Sequence, residues 1–458
     1  MTIKIKEDPI FDQFHDELLR RIGKLIMQNE GQPNLAYESN LFQFKELDNF
    51  SYSKSGPNYT GATIRQENKK TWVRASLILG IQLFGSEEFI KLENHLIQNY
   101  DHPYTKDWFK QYLYQLIAIV MEGPNSTNPD PITTHKKKFI GNLIDAPLPA
   151  TISAKFKGLI LESKELIINQ HIKLRQTIKS DLEKPINIHF NEISWEIPSA
   201  ILEIGLQLKS AEHGLLNREV KRIVTLLSLF KTGSIHIIST ESSYHKLTST
   251  GGQSSSNRSH HPWKKYHLVK TEEDLFLSFL NNLNLPEKLY TNTNNPDYLT
   301  TAFDRFNEAL LEEVAIERRI ANAVMGIEAL LSIENQELSF RMQSRTARLL
   351  SIFNNLKAID IRTSMAEAYS IRSKYAHGGY LEEKDKKRLK AKFQDLDQFV
   401  IKITDYLRLL LLITITCHLE KPKLIRLIDD ALIDDASLSA LRESVQVAKQ
   451  VIIKPNDK

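Results

Sequence analysis

Apolar residues three and four positions apart recur through most of the chain between residues 298 and 420. This spacing puts them on one face of an α-helix and predicts helices that pack through those faces. The two longest stripes are Ile316, Ile320, Ala323, Ile327 and Leu331, and then Leu396, Val400, Ile403, Leu407, Leu410 and Thr414. Shorter helices are predicted at about 338–354 and 360–377, with one or two more after residue 421. We therefore expect residues 291–458 to form a bundle of four to five helices with a helical tail.

The preceding part of the chain divides into two regions of different pattern. With 458 residues, the chain is too long for one ordinary core, which favours two or three domains. In region 1–150, which we expect to be mostly helical, the spacing of apolar residues predicts helices at 11–29, 72–97 and 106–122. Residues 123–149 contain five prolines, and this predicts a linker or long loop and a candidate domain boundary, because proline interrupts regular structure.

Region 151–290 mixes strand and helix patterns. Apolar residues alternate with polar ones in some segments and recur at helical spacing in others. The predicted elements are strands at 186–190, 193–195 and 235–238, and helices at 199–212 and 217–231. We expect a small α+β domain here, which makes the whole chain mainly α.

Cysteine usage and missing motifs narrow the chemistry that the chain can perform. Cys417 is the single cysteine, which excludes a disulfide within the chain and a cysteine-based zinc site. A Gly-rich phosphate loop, a dinucleotide fingerprint and a Gly-x-Ser-x-Gly elbow are all missing. The N-terminus lacks an apolar signal core, and the most apolar run, 407–417, is too short to span a bilayer. We expect a cytoplasmic protein that does not bind a membrane and needs neither a metal nor a cofactor.

One helix of the predicted bundle ends in a charged motif. Its apolar face is marked by Ile361, Met365, Ala368 and Tyr369. Arg372 continues that face, and His377 follows five residues later. No other arginine of the chain has a histidine five to seven positions after it. Gly378 and Gly379 supply a left-handed helix stop, which places His377 at or just beyond the last turn.

These two residue types suit the cleavage of RNA. The planar guanidinium of an arginine can donate two hydrogen bonds at once to the oxygens of a phosphate, and a histidine transfers protons near neutral pH. The 2′-hydroxyl of RNA is itself the nucleophile, so the reaction needs no metal. The spacing alone leaves a structural alternative open, in which His377 only caps the helix and Arg372 only forms a salt bridge between helices.

Residues 315–378 resemble the Apea-like branch of the HEPN superfamily of helical domains. The matching motifs are Glu-Ala-Leu-Leu at 328–331, Arg-Thr-Ala-Arg-Leu-Leu at 345–350 and Tyr-Ser-Ile-Arg-Ser-Lys-Tyr-Ala-His-Gly at 369–378. The last contains the family's Arg-x4-6-His signature, with Ser373 where many members have Asn or Asp. The resemblance implies a metal-independent endoribonuclease, frequently in phage defence or toxin systems, with Arg372 and His377 at a dimer interface. Some HEPN members are only binding or dimerisation modules, and that alternative stays open.

Several side chains are predicted to support Arg372 and His377. Ser373, Lys374 and Tyr375 lie between them in the sequence; Ser373 can donate a hydrogen bond, and Lys374 can neutralise a phosphate. Glu328, on an earlier helix of the bundle, could orient Arg372. A salt bridge with no part in catalysis is an equal alternative for Glu328.

Charge favours RNA as the partner. Residues 341–392 contain 13 Lys and Arg against 5 Asp and Glu, a local net charge of +8 in a chain whose total is +4. Arg345 and Arg348 are the predicted RNA contacts in this stretch, whereas residues 384–392 could simply be a solvated helix start. The loop 258–267 mixes basic and aromatic residues, which suits single-stranded RNA or a plain surface loop.

The motif also predicts a homodimer. Two side chains that are five residues apart on a helix point in directions that differ by well over a quarter-turn. One copy of Arg372 and His377 therefore encloses a phosphate poorly. A twofold axis beside the motif would bring two arginines and two histidines around one cleft. The face of Met365, Ala368 and Tyr369 suits this contact, unless it packs entirely within its own bundle.

Overall fold

The computed structural model describes residues 8–29, 37–45, 48–60, 63–71, 73–100, 105–122, 130–182, 186–187, 197–209, 212, 214–243, 253–255, 264–291, 295–310, 315–333, 338–354 and 356–453. Within these ranges the chain is mostly helical with a smaller sheet region, which confirms the mainly α fold class. Across the same ranges, no helix combines the length and the apolar character that crossing a membrane requires.

The N-terminal helices bury a core of their own. They are α1 (Pro9–Gln28), α2 (Val73–Leu83), α3 (Glu87–Asn99), α4 (Thr105–Glu122) and α5 (Pro131–Leu143). We call them the N-terminal helical cluster; Phe11, Leu92 and Phe139 lie in its core. The single helix predicted at 72–97 is wrong, because Gly85 takes a φ of +89° and Ser86 begins a new helix by capping it.

Helix α5 lies inside the segment predicted as a linker, so that prediction is wrong. The Asp130 carboxylate accepts hydrogen bonds from the backbone N–H groups of Ile132 and Thr133, and Pro131 occupies the first turn. Proline is tolerated there because the first N–H groups of a helix have no partner within it. Asp-Pro is therefore a helix start at this position rather than an interruption.

Strands that no pattern in the sequence predicts lie between α1 and α2. They are β1 (Tyr37–Lys45), β2 (Asp48–Ser53), β3 (Gly56–Thr60) and β4 (Thr63–Thr71). Strand β1 pairs antiparallel with β4 along its whole length, and β2 pairs antiparallel with β3. The predicted strand at 186–190 is confirmed only at β9 (Ile186–Asn187), which pairs with β1. Residues 188–196, which include the strand predicted at 193–195, lie outside the described residues.

The middle of the chain forms a six-stranded antiparallel sheet covered by helix. Its strands, in spatial order, are β12 (Gln253–Ser255), β11 (His236–Ser243), β5 (Leu148–Lys157), β10 (Ala200–Leu208), β8 (Ile172–Gln176) and β7 (Glu165–Asn169). Two further strands, β6 (Leu159–Leu161) and β13 (Tyr266–Leu268), pair in parallel. The helices of this part are α6 (Lys179–Leu182), α7 (Gly214–Phe230) and α8 (Glu273–Asn282).

Of the three elements predicted between residues 199 and 238, two are confirmed and one is wrong. The predicted helix at 217–231 is confirmed by α7, and the predicted strand at 235–238 by β11. The predicted helix at 199–212 is wrong, because this segment contains the central strand β10. In this strand Leu202, Ile204 and Leu208 are buried, whereas the residues between them at 203, 205 and 207 are more exposed. Leu202 lies opposite Ala154 on β5 and Leu174 on β8. The spacing of apolar residues over so short a segment fits a helix as well as a strand, and pairing with the two neighbouring strands decides the conformation.

The C-terminal helices follow the predicted stripes. They are α9 (Tyr298–Ala309), α10 (Ile316–Leu331), α11 (Leu338–Asn354), α12 (Ala358–Ala376), α13 (Glu383–Phe393), α14 (Leu396–Thr416), α15 (Lys421–Asp430) and α16 (Asp435–Ile453). The described part between 298 and 416 thus holds six helices, more than the four to five predicted, and the tail adds two. Helix α14 packs against α9, α10, α11, α13 and α16, and most of its residues are buried.

Close contact between α10 and α14 positions the helix that carries Glu328. A Cβ atom added to Gly326 would lie 2.5 Å from the Cδ2 atom of Leu407, so α14 can approach α10 only at a glycine. Buried residues of the sheet, of α7 to α9 and of the C-terminal helices form one continuous core. The sheet and the helical bundle therefore share their core across the predicted boundary at residue 290.

Candidate functional site

Helix α12 ends in a glycine stop directly after the motif. His377 is the C-cap residue, and Gly378 takes a φ of +76°. The N–H of Gly378 donates to the carbonyl of Tyr375, and the N–H of Gly379 donates to that of Lys374. This pair of bonds is the Schellman arrangement and confirms that the helix ends at His377. The imidazole of His377 is exposed at that end.

The apolar face of α12 packs inside its own bundle. Met365 and Ala368 have no exposed surface, and Tyr369 is half-buried against the same core. The expectation that Met365 and Ala368 supply a dimer surface is therefore wrong, because α10 and α11 already cover them. Arg372, the next residue of this face, is also partly exposed, with 27% of its side chain accessible.

Arg372 is held by Glu328 from α10 and by the ring of Tyr369. Its Nη2 atom lies 3.0 Å from Oε2 of Glu328, and its guanidinium lies 5.8 Å from the Tyr369 ring centre. Burial raises the pKa of the Glu328 carboxyl, and the Arg372 charge offsets part of that rise. Among the described residues, neither Oε1 of Glu328 nor Nε of Arg372 has a hydrogen-bond partner. The predicted contact between Glu328 and Arg372 thus exists, with hydrogen-bonding capacity left on both groups.

Ser373, Lys374 and Tyr375 have different surroundings. Ser373 and Tyr375 are half-buried, whereas Lys374 is exposed and its Nζ lies 2.6 Å from Oδ2 of Asp385. The hydrogen bond from Lys374 lowers the pKa of the Asp385 carboxyl. Lys374 therefore has a carboxylate partner, and a phosphate would have to compete with it. The sequence pattern missed Asp385, because that residue lies beyond the helix stop on α13.

Arg345 is a structural residue, so its assignment as an RNA contact is wrong. Its side chain is 1% exposed, and Nε and Nη2 lie 2.8 and 2.6 Å from the two carboxylate oxygens of Asp429 on α15. Its Nη1 also donates to the carbonyl of Leu331 at the end of α10. Arg348 is half-buried, and its Nε is enclosed with no hydrogen-bond partner among the described residues.

Ion pairs connect much of the basic stretch 341–392 to nearby carboxylates. Arg388 and Lys392 on α13 both contact Glu367 on α12, at 2.9 and 3.0 Å. Lys384 and Lys386 pair with neighbouring glutamates of their own helix start, as a solvated helix start would. Lys387 and Lys390 are exposed. The excess of positive charge is thus real in the sequence but partly compensated in the fold.

The basic and aromatic loop 258–267 is described only from residue 264 onward. Tyr266 is 1% exposed and belongs to the core through β13, so it cannot stack on a base. Residues 258–263 lie outside the described residues. Within the described part of the chain, no group of three or more His, Cys, Asp or Glu side chains is placed to hold a metal ion.

Comparison with protein-family models, with curated proteins and with solved structures finds no match for the chain. The resemblance of residues 315–378 to the HEPN superfamily therefore remains an expectation based on its motifs.

Proposed function

We propose that the chain is a metal-independent endoribonuclease of the HEPN type, with Arg372 and His377 as its catalytic residues. The observation that carries the proposal is the end of α12. There an arginine braced by Glu328 and Tyr369 precedes, by five residues, an exposed histidine at the last turn. Arg372 binds and neutralises the scissile phosphate, and His377 transfers protons.

The reaction starts at the 2′-hydroxyl of RNA. A histidine acting as base removes the hydroxyl proton, the 2′-oxygen forms a bond to the adjacent phosphorus, and the bond from phosphorus to the 5′-oxygen breaks. A histidine acting as acid protonates that leaving oxygen. The products carry 2′,3′-cyclic phosphate and 5′-hydroxyl ends, and DNA is spared because it lacks the 2′-hydroxyl.

The proposed active form is a homodimer with a composite site. One chain supplies one histidine to this site, whereas the reaction uses a base and an acid. A twofold axis beside the end of α12 supplies both, together with two arginines. Tyr380, three residues after His377, is 71% exposed and offers an apolar contact beside the motif. This surface replaces the Met365 and Ala368 face, which is buried.

The deciding experiment is RNA cleavage by the purified full-length protein in EDTA. We expect His377→Asn to lower the rate by roughly a hundredfold or more, the usual scale for a general acid–base group. The matched control is His418→Asn, because His418 is also exposed and also follows a helix C-terminus, that of α14. Asparagine suits both positions, since it tolerates the positive φ of His418. Equal cleavage by the two variants would contradict the assignment of His377.

The alternative is a noncatalytic HEPN module that binds RNA or a protein partner. The pairs Arg372–Glu328 and Lys374–Asp385 favour it, because both are also what a purely structural helix end would form. A module of this kind would bind RNA in an Arg372-dependent way without producing cyclic phosphate ends. A toxin-like nuclease would instead arrest growth when expressed, and His377→Asn would relieve the arrest.

A further inference from the structure

A second basic cleft lies where the sheet region meets the helical bundle. Its volume is about 580 Å³, within the range of sites for small molecules. One wall is the end of α7 and the residue Lys264 before β13, and the other is the junction of α13 and α14. The cationic side chains that line it are Lys231, Lys264, Lys392, Lys402 and Arg408. Asp405 is the one carboxylate among the lining residues.

The floor of this cleft is already internally bonded. Asp405 accepts hydrogen bonds from Nε of Arg408 at 2.7 Å and from the hydroxyl of Thr232 at 2.8 Å. These bonds keep the pKa of Asp405 low even though burial acts to raise it. Nη1 of Arg408 donates to the carbonyls of Leu229 and Phe230. Because Asp405 is hydrogen-bonded to Arg408 and Thr232, it neutralises the positive charge of the nearby lysines only in part.

Two of the lysines are left without an ion pair. Lys231 binds Glu272, and Lys392 binds Glu367. Among the described residues, no carboxylate oxygen lies within 4.0 Å of the ammonium group of Lys264 or Lys402, both of which are half-buried. Burial lowers the pKa of Lys264, and the charge of Asp405 opposes part of that shift. Two half-buried lysines that line one cleft without a carboxylate partner favour an anion.

The rim of the cleft holds a strained turn. Gln394 has a φ of +66° and a ψ of −45°, and the N–H of Asp395 donates to the carbonyl of Phe393 at 2.8 Å. This three-residue turn is rare for residues other than glycine, and such strain collects at ligand sites. The turn presents the Phe393 ring, with the ammonium groups of Lys392 and Lys402 5.7 and 5.5 Å from its centre.

We propose that this cleft binds the polyphosphate group of a free nucleotide, at a site separate from Arg372 and His377. Lys264 and Lys402 supply the charge for the phosphate oxygens, and Lys231 and Lys392 lie beside them. The cleft volume accepts one nucleotide, whereas an RNA strand would have to continue beyond both ends. The chain contains no Gly-rich phosphate loop, so the proposed role is binding and not hydrolysis.

Calorimetry on the full-length protein tests this site with three probes: sodium tripolyphosphate, ATP without added metal, and a short RNA oligonucleotide. The RNA arm uses the His377→Asn background so that the probe stays intact. We expect tripolyphosphate and ATP to bind, and the double variant Lys264→Gln/Lys402→Gln to weaken both at least tenfold. The control is Lys91→Gln/Lys423→Gln, which removes two positive charges from exposed helix positions outside the cleft.

Each outcome decides the question. Absence of tripolyphosphate and ATP binding by the unchanged protein overturns the proposal, as does equal binding by the double variant and its control. If RNA binds and the other two probes do not, the cleft binds the backbone of an RNA strand, and the proposal of a nucleotide site is also overturned. If the double variant misfolds, the single variant Lys402→Gln, at a half-buried position, replaces it in the test. This single variant should itself weaken ATP binding. ATP should bind the His377→Asn protein as tightly as the unchanged one, so the result does not depend on nuclease activity.

Discussion

Glu328 on α10 accepts a hydrogen bond of 3.0 Å from Arg372 on α12, and the two residues are 44 positions apart in the chain. Because the Glu328 side chain is only 14% exposed, its carboxylate contacts the guanidinium from the buried side. We expect Glu328→Gln to lower RNA cleavage roughly tenfold, since a displaced arginine positions the phosphate less well. The unfolding free energy should change by less than about 1 kcal/mol, because the variant also removes the cost of burying a charge.

A second glutamate provides a close control for Glu328. Glu367 on α12 is 13% exposed and pairs with Arg388 and Lys392, so Glu367→Gln removes an equally buried charge away from Arg372. Cleavage by this variant should match that of the unchanged protein. A positioning role for Glu328 is refuted if both variants lose the same activity, or if neither loses any.

Removal of the Asp429 side chain should lower the unfolding free energy without any direct effect on RNA cleavage. Asp429→Ala leaves the Arg345 guanidinium buried with its main partner missing, and we expect a loss of about 3 kcal/mol in unfolding free energy. Denaturant unfolding measures this. Glu383→Ala, which breaks an exposed pair with Lys386, should leave stability unchanged. An equal effect of the two substitutions would contradict the structural role of Arg345.

The N-terminal helical cluster should lose stability in mild acid. Burial lowers the pKa of His15 and of His135 to about 4, from 6.5. Because the unfolded chain takes up protons that the folded cluster does not, stability is fully present above pH 6.5 and falls as the pH drops towards 4. Each histidine contributes on the order of 3 kcal/mol.

Protection factors from hydrogen exchange in α1 and α4, each corrected for the intrinsic exchange rate at pH 7 or pH 5, measure this loss. His135→Gln should flatten the dependence on pH, since glutamine keeps a donor near the carbonyl of Tyr112 but does not titrate in this range. His171→Gln is the control, because His171 is exposed on the sheet region. The burial argument does not survive if the protection factors, corrected for the slower intrinsic exchange at pH 5, are the same at both pH values.

Glycine at position 394 should stabilise the protein, contrary to its usual effect. Gln394→Gly relieves a positive φ of +66°, and we expect a net gain of about 1 kcal/mol after the entropic cost of glycine. Lys390→Gly, at an exposed position within α13, should instead cost about 1 kcal/mol. Thermal unfolding of the two variants should therefore shift in opposite directions, and a shift in the same direction would exclude strain at Gln394.

Local spacing predicted those parts of the fold that depend on neighbours in the chain. The stripes of α10 and α14, the glycine stop after His377 and the helix α7 follow from helical periodicity and capping within a few residues. The same rules failed at α5, where Pro131 begins a helix, and at β10, where neighbouring strands decide the conformation. Local pattern was therefore reliable for amphipathic helices and unreliable for a short strand whose conformation depends on pairing with its neighbours.

The sequence by itself determined that Arg372 and His377 lie on one helix end, five residues apart with a stop behind them. Tertiary structure decided which charges remain available. It pairs Arg345 with Asp429 across 84 positions, and it joins Lys374 to Asp385 beyond the helix stop. It also assembles the cleft around Lys264 and Lys402 from segments far apart in the chain. Ion pairs and clefts depend on distances in space, and the packing of whole helices and strands sets those distances.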